Sequence, residues 1–296
     1  MSEFWVSLME KAYAKLHGTY EMLNGGQMNE ALVDLTGGVS EKFHLRAPET
    51  AESIEGGQFW KDLKKYHSQG FLLGCANTVK DENGNLDEGM GNSGILFNHA
   101  YGIQQIREVD GLQLIRIRNP WGQGEWTGKF ADEDEAWDDH KGLKEKLDYV
   151  FKNDGNWWMK YDDFCAHFNK LYLCKIFPSA WSQYSINGEW NGNTAGGPYP
   201  FETMAETKED GKDAAEQSVK NDTNDRWFNN PQFRISVTKK TNIILSLMQE
   251  DEKVSKRPYI PVNFLVVRVK SRRDRLWEIN KEDIVMEAAS GLQRFG

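Results

Sequence analysis

Apolar residues recur at helical spacing at the start of the chain. Phe4, Trp5, Leu8, Ala12, Tyr13 and Leu16 fall on one face, Ser2 can cap the run and Gly18 ends it. Gly25-Gly26 and Gly37-Gly38 mark a loop-rich stretch; a short helix is then predicted over Phe59 to Tyr66 and a strand over Phe71 to Val79. Residues 80–94, KDENGNLDEGMGNSG, read as a polar loop. From Ile95 the pattern changes to two long extended segments, ILFNHAYGIQQIREV and LQLIRIRNPWG, with Asp110-Gly111 between them, which is a strong hairpin signal. Asn156 to Tyr161 reads as a strand, Asp162 as the cap of a helix reaching Phe168, and Leu171 to Phe177 as a strand before Pro178-Ser179-Ala180.

Beyond that tripeptide the helical period disappears. WSQYSINGEW, PQFRISV, NIILSLMQ and VNFLVVRV alternate or run continuously apolar, which predicts a β-sandwich. Residues 202–226 carry eight acids and four bases among scattered apolar residues and are expected to form a mobile acidic insertion. The reading is therefore an α+β domain over 1–178 followed by an all-β sandwich over 179–296.

Composition narrows the function classes. In 296 residues there are 45 acidic against 36 basic side chains, a formal charge of -9, with no basic stripe to neutralise phosphates, so nucleic acid is not the expected partner. A 39% hydrophobic share with 12% aromatics is enough for a packed core and excludes wholesale disorder. No apolar run approaches the roughly 20 residues of a spanning helix. Glu3, Glu10 and Lys11 interrupt the opening segment where a secretory leader would be apolar. Cys75, Cys165 and Cys174 are odd in number and widely spaced, which fits reduced thiols in a cytoplasmic protein.

The hairpin carries the candidate chemistry. His99 lies in its first strand, and Asn119-Pro120-Trp121-Gly122 closes its second. In cysteine hydrolases an imidazole takes the thiol proton while an amide oxygen fixes the ring through its other nitrogen. His99 and Asn119 can form that pair only if they share a face of the sheet. A two-residue Asp110-Gly111 loop alone would set His99 opposite Gly122 and turn Asn119 away. A three-residue loop, or a bulge elsewhere in the hairpin, would set His99 opposite Trp121 and bring Asn119 to its side.

Taken together, FWVSLMEKAYAKLHGTYEMLNGG, DLTGGVSEKFHLR, GFLLGC, NHAYGI, IRIRNPWGQGEWTG, the pair Trp157-Trp158, and TAGG followed by NPQF resemble the calpain family along nearly the whole chain. The resemblance implies the second half of a papain-like protease core followed by the family's β-sandwich. It assigns His99 as the catalytic histidine, Asn119 as its orienting asparagine and Trp121 as the indole beside the active site. It also implies a calcium site with Glu125, Asp132 and Asp154 as carboxylate ligands and the Lys152 carbonyl as a further one. Asn156 stands where the family usually has another carboxylate, which lowers the charge but keeps an oxygen donor. Protein substrates are the implied partners.

One part of the family pattern is missing. No Q-G-x-x-G-D-C-W type motif occurs, and all three cysteines sit among apolar neighbours and read as inert. The chain starts where the family's first half-core ends and stops before the last sandwich strands. It is thus expected to be a fragment, or a chain completed by a segment bearing the Cys-containing half, and inactive by itself. The alternative is a non-proteolytic, calpain-like protein that binds calcium or a partner. A carbohydrate platform built on Trp181, Trp190 and Trp227 ranks well below both.

Overall fold

Alternation along the strands sets the architecture of the first half. The computed structural model describes residues 3–81, 83, 84, 86, 88–197, 199, 226–269 and 275–290, and its contacts divide the chain into two units, Met1–Trp181 and Ser182–Gly296. The first unit runs α1 (Trp5–His17), α2 (Met28–Thr36), β1 (Val39–His44), α3 (Pro48–Glu55), α4 (Gln58–Ser68) and β2 (Leu72–Ala76). After these come β3 (Gly89–Met90), β4 (Leu96–Phe97), β5 (Ala100–Val109), β6 (Leu112–Arg118), α5 (Leu143–Lys146), β7 (Asn156–Lys160), α6 (Tyr161–His167) and β8 (Lys170–Lys175). Six of these strands form one antiparallel sheet in the order β1-β8-β2-β5-β6-β7, and β3 pairs with β4 separately.

Neighbouring residues on a strand point to opposite faces, so the sheet is apolar on both sides. Ile115, Ile117, Trp157 and Met159 join the large core with Trp60, Leu63, Leu73, Leu171 and Leu173. Leu114 and Trp158 face the other way and pack with Phe130, Trp137, Leu143 and Leu147. The Trp157-Trp158 pair thus gives one indole to each face.

Three local expectations change. The stretch between Gly25-Gly26 and Gly37-Gly38, expected to be loop-rich, holds the helix α2. The opening helix forms, but Phe4, Trp5, Leu8 and Leu16 are exposed and Ala14 and His17 are its buried residues, so its apolar face is not its packed face; Ser2 lies outside the described residues. The α6 helix begins on Lys160 with no side-chain cap, and Asp162 stands in its first turn instead, where a negative charge suits the helix N-terminus. Residues 132–139 carry six acids, and part of that run is engaged in the fold. Asp134 caps the short 3-10 turn Glu135–Trp137 and accepts from the Phe130 and Ala136 N–H groups, while Trp137 is buried.

The second unit contains α7 (Glu252–Ser255), β9 (Val262–Val267) and β10 (Ile284–Ser290), the last two paired antiparallel. Among its described residues the ladder is two-stranded rather than a sandwich. Residues 181–190, 231–237 and 242–247 lie in no ladder, and Tyr184, Ile186, Phe233, Ile235 and Val237 are exposed. Alternation makes a strand only where a neighbour accepts its hydrogen bonds. Side chains do part of that work here: Gln232 donates to the Phe228 and Leu276 carbonyls, and Asn230 links Gly196 N–H to the Gly197 carbonyl. The acidic insertion falls outside the described residues apart from Arg226. No helix among the described residues is long and apolar enough to cross a membrane.

Candidate active site

The turn between β5 and β6 is the short one. Val109 pairs with Leu112, and Asp110 (φ 52°) and Gly111 (φ 80°) are both left-handed, as a two-residue hairpin turn that matches strand twist requires. The register then shifts between Ile103 and Gln105: Gln105 faces Arg116, but Ile103 faces Ile117 and Gly102 faces Arg118. Gln104 is the extra residue of a β-bulge, and its carbonyl lies 3.2 Å from Nε2 of His67. Continued to the end of the hairpin, this register sets His99 opposite Trp121.

The pair forms. Nε2 of His99 lies 2.9 Å from Oδ1 of Asn119, and both residues are buried, at 6% and 0% exposure. The amide has one orientation because its Nδ2 donates to the Gln123 (2.7 Å) and Gly124 (3.2 Å) carbonyls, while Oδ1 also accepts from the Trp121 N–H (3.1 Å). Asn98, in the left-handed region at φ 56°, leads the chain into His99 and clips the Val79 backbone through both ends of its amide. The Trp121 ring sits 4.4 Å from the imidazole and is 54% exposed, so it covers the ring from the solvent side. Tyr101 meets the ring edge-on at 4.9 Å; its hydroxyl accepts from the Leu96 N–H, and burial pushes its phenol up to about 12.

A loop outside the hairpin holds Asn119 from below. The Asn119 N–H donates to the Gly155 carbonyl at 2.7 Å. Gly155 has φ 82°, and a Cβ there would come within 2.8 Å of the Asn119 carbonyl and 2.9 Å of the Gly122 Cα, so glycine is required for the approach.

That loop carries Asp154 and the Lys152 carbonyl, and the loop after β6 carries Glu125 and Asp132, the other carboxylates expected at the calcium site. Oε1 of Glu125 accepts from the Asp154 (3.0 Å) and Gly155 (2.7 Å) N–H groups, and Oδ2 of Asp132 accepts from the Lys152 N–H (3.1 Å). Oδ1 of Asp154 accepts from the backbone (3.1 Å) and side-chain (2.6 Å) nitrogens of Asn156, while the Lys152 carbonyl accepts from the Asp154 N–H. Burial first, and then the charges of neighbouring acids, hold the Glu125 and Asp132 carboxyls above their ordinary range; hydrogen bonds from Asn156 hold Asp154 below it. Among the described residues no three His, Cys, Asp or Glu side chains are gathered tightly enough to grip a metal. Oδ1 of Asn156 is nevertheless buried without a hydrogen-bond partner, next to Asp154. An orphaned amide oxygen among carboxylates that repel one another is a donor set of the hard-oxygen kind calcium takes.

The three thiols lie in or against the core. Cys75, paired with Tyr101 in the ladder, and Cys174 are fully buried, and Cys165 packs against the core. Burial pushes all three up, Cys165 to about 11, where an attacking thiol needs the opposite.

Pattern reading missed three residues that shape this site: Gln104, whose bulge sets the register; Gly155, which braces Asn119; and Glu88, whose Oε1 lies 2.9 Å from Nδ1 of His99. Only Gly155 carried a signal, as a glycine within the KNDGN loop.

Comparison with known proteins agrees with this architecture. Residues 1–175 match the family model described as calpain family cysteine protease. The chain is 38% identical over 239 residues to the calpain-type cysteine protease ADL1 of Oryza sativa subsp. japonica, covering 80% of this chain and 10% of that protein. It is 35% identical over 277 residues to calpain-9 of Homo sapiens (86% and 36%) and 31% identical over 294 residues to calpain-5 of Mus musculus (92% and 44%). The chain therefore spans from a tenth to under half of the length of these relatives. With the family model covering the whole α+β sheet, this chain belongs to the calpain family of cysteine proteases.

Proposed function

We propose that the chain is the His/Asn half of a calcium-dependent cysteine endopeptidase that cuts protein substrates in the cytoplasm, with the nucleophilic thiol supplied by another segment. The observation that carries this is the buried 2.9 Å contact between His99 Nε2 and Asn119 Oδ1, made under an exposed indole. In this reading Asn119 fixes the ring through Nε2, leaving Nδ1 to take the thiol proton. The thiolate attacks the scissile carbonyl carbon, and the imidazolium returns the proton to the leaving amine. Water then enters, gives a proton to His99, and releases the acyl group as an acid. Trp121 screens the His99–Asn119 bond from water and so strengthens it.

Glu125, Asp132, Asp154, the Asn156 amide oxygen and the Lys152 carbonyl would hold calcium, which supplies positive charge between acids that now repel one another. Residues 1–178 form the half-core in this proposal, and 179–296 form the sandwich domain, on the strength of the alternating runs in the second unit. The second reading, a calpain-like protein without proteolysis, is favoured by one observation: Cys75 and Cys174 are buried, Cys165 is partly buried against the core, and burial raises all three thiols.

The test joins the chain to a Cys-bearing calpain half-core and follows casein cleavage in calcium. Cleavage that disappears with His99→Ala supports the protease reading; a joined protein that binds calcium yet never cleaves favours the second. Cleavage by the chain alone, blocked by a thiol alkylator, would overturn both.

A further inference from the structure

Glu88 belongs to the polar loop that precedes His99, and its place is set by the short β3–β4 ladder. Gly89 pairs with Phe97, Met90 with Leu96, and the Gly91 N–H donates to the Ile95 carbonyl at 3.0 Å. The ladder delivers the Glu88 carboxylate to Nδ1 of His99 at 2.9 Å, while Asn119 holds Nε2 at the same distance. Among the described residues the Tyr101 and Trp121 rings also meet the imidazole, at 4.9 and 4.4 Å.

Both polar neighbours of the ring are acceptors. An ionised carboxylate has no proton to give, and Asn119 shows only its oxygen because Nδ2 is engaged by two carbonyls. A ring with a single proton can satisfy one of the contacts, and a ring with two satisfies both. Of the two nitrogens, Glu88 occupies the one that the asparagine leaves for the thiol. The Glu88 side chain is 47% exposed and the His99 side chain 6%, so the carboxylate lies at the outer edge of the ring and can leave into water without opening the core.

We propose that Glu88 is an internal stand-in for the nucleophile: it holds the His99 ring in its working orientation while no thiol is present, and a thiol must displace it to reach Nδ1. This rests on His99 being the base of the proposed protease. It makes the half-site self-blocked, with the block carried by a loop anchored on a ladder of only two residue pairs.

The experiment uses the full chain with Glu88 intact, as Glu88→Ala and as Glu88→Gln. Two readouts are the 15N signals of the His99 ring nitrogens and the rate at which diethyl pyrocarbonate modifies His99, located by peptide mass. Glu88→Ala is expected to move the Nδ1 signal and to speed His99 modification roughly tenfold, the scale of a lost charge-assisted hydrogen bond, while the other five histidines keep their rates. Glu88→Gln, nearly the same in shape, should fall between. Identical Nδ1 signals and rates in all three proteins would overturn the proposal. Neither readout needs peptide cleavage, so the two ideas fail separately. Unchanged Nδ1 behaviour in a chain that supports cleavage when joined to its other half removes the stand-in alone. A changed Nδ1 with no cleavage removes the base assignment and leaves Glu88 only as a group that orients the ring.

Discussion

The hairpin end that holds His99 and Asn119 and the loops that hold Glu125, Asp132 and Asp154 lie next to each other but differ in completeness. In the first, each polar atom of the Asn119 side chain has a partner, and the pair is buried where β5 begins and β6 ends. In the second, the acids sit on irregular backbone, two of them are held above their usual range, and an amide oxygen is buried unpartnered. Strands fix a site through their own ladder. Loops of like charge reach a settled arrangement only when something of opposite charge arrives. The two regions meet at Gly155, whose carbonyl holds Asn119 and whose N–H is held by Glu125.

Removing Asn119 should break the complete region most severely. Asn119→Ala strands two backbone carbonyls, the Trp121 N–H and the His99 ring, which is expected to cost about 2–3 kcal/mol in denaturant unfolding and to lower kcat/KM of the joined protease about 100-fold or more. A loss of activity with no loss of stability would mean that the amide orients the ring without supporting the turn. Gly155→Ala attacks the junction. The left-handed backbone and the close approach to Asn119 predict a cost of about 1–3 kcal/mol, and calcium response and cleavage should fall together. If only one falls, the regions are less coupled than their shared loop implies.

Asp154→Ala addresses the incomplete region by itself. Calorimetry should show the calcium heat lost, while unfolding without calcium changes by only about 0.5–1 kcal/mol from the bonds to Asn156; equal calcium heats in both proteins would remove the site. Trp121→Ala should do least to stability, within about 0.5 kcal/mol, because the indole is mostly in solvent. Its expected signature is a lower activity of the joined protease, since the His99–Asn119 bond loses its cover.

Five of the six core strands are readable in the sequence, because they bury both faces and their turns are marked by Asp110-Gly111 and other glycines, but β1 is not. The hairpin was legible down to the condition it had to meet, that a two-residue turn needs a bulge elsewhere, but not to the position of that bulge. Gln104 looks like its neighbour Gln105, and only the packing of Tyr101, Ile103 and Ile106 decides which residue is squeezed out. Glu88 was invisible for a different reason: a carboxylate in a polar loop has no periodicity, and its contact with His99 exists only in three dimensions. The second unit shows the limit of alternation, since Phe233, Ile235 and Val237 have the pattern of a strand but no ladder. For the carboxylates, the residue types were apparent, whereas their engagement with backbone N–H groups depends on loop geometry that no spacing rule describes.

The bulge at Gln104 also makes the site a matter of parity. Across a hairpin, two side chains share a face when the sum of their numbers matches the sum for facing residues to within an even count. The turn sets that sum at 221 and the bulge lowers it to 220, which is what brings His99 and Asn119 together. The strand therefore carries one spare residue. A chain without Gln104 would pair Ile103 with Ile117 as before, through an unbroken ladder, and keep the histidine and asparagine side by side. One residue added at the same place, with the bulge kept, would return the sum to 221 and turn the imidazole to the back of the sheet.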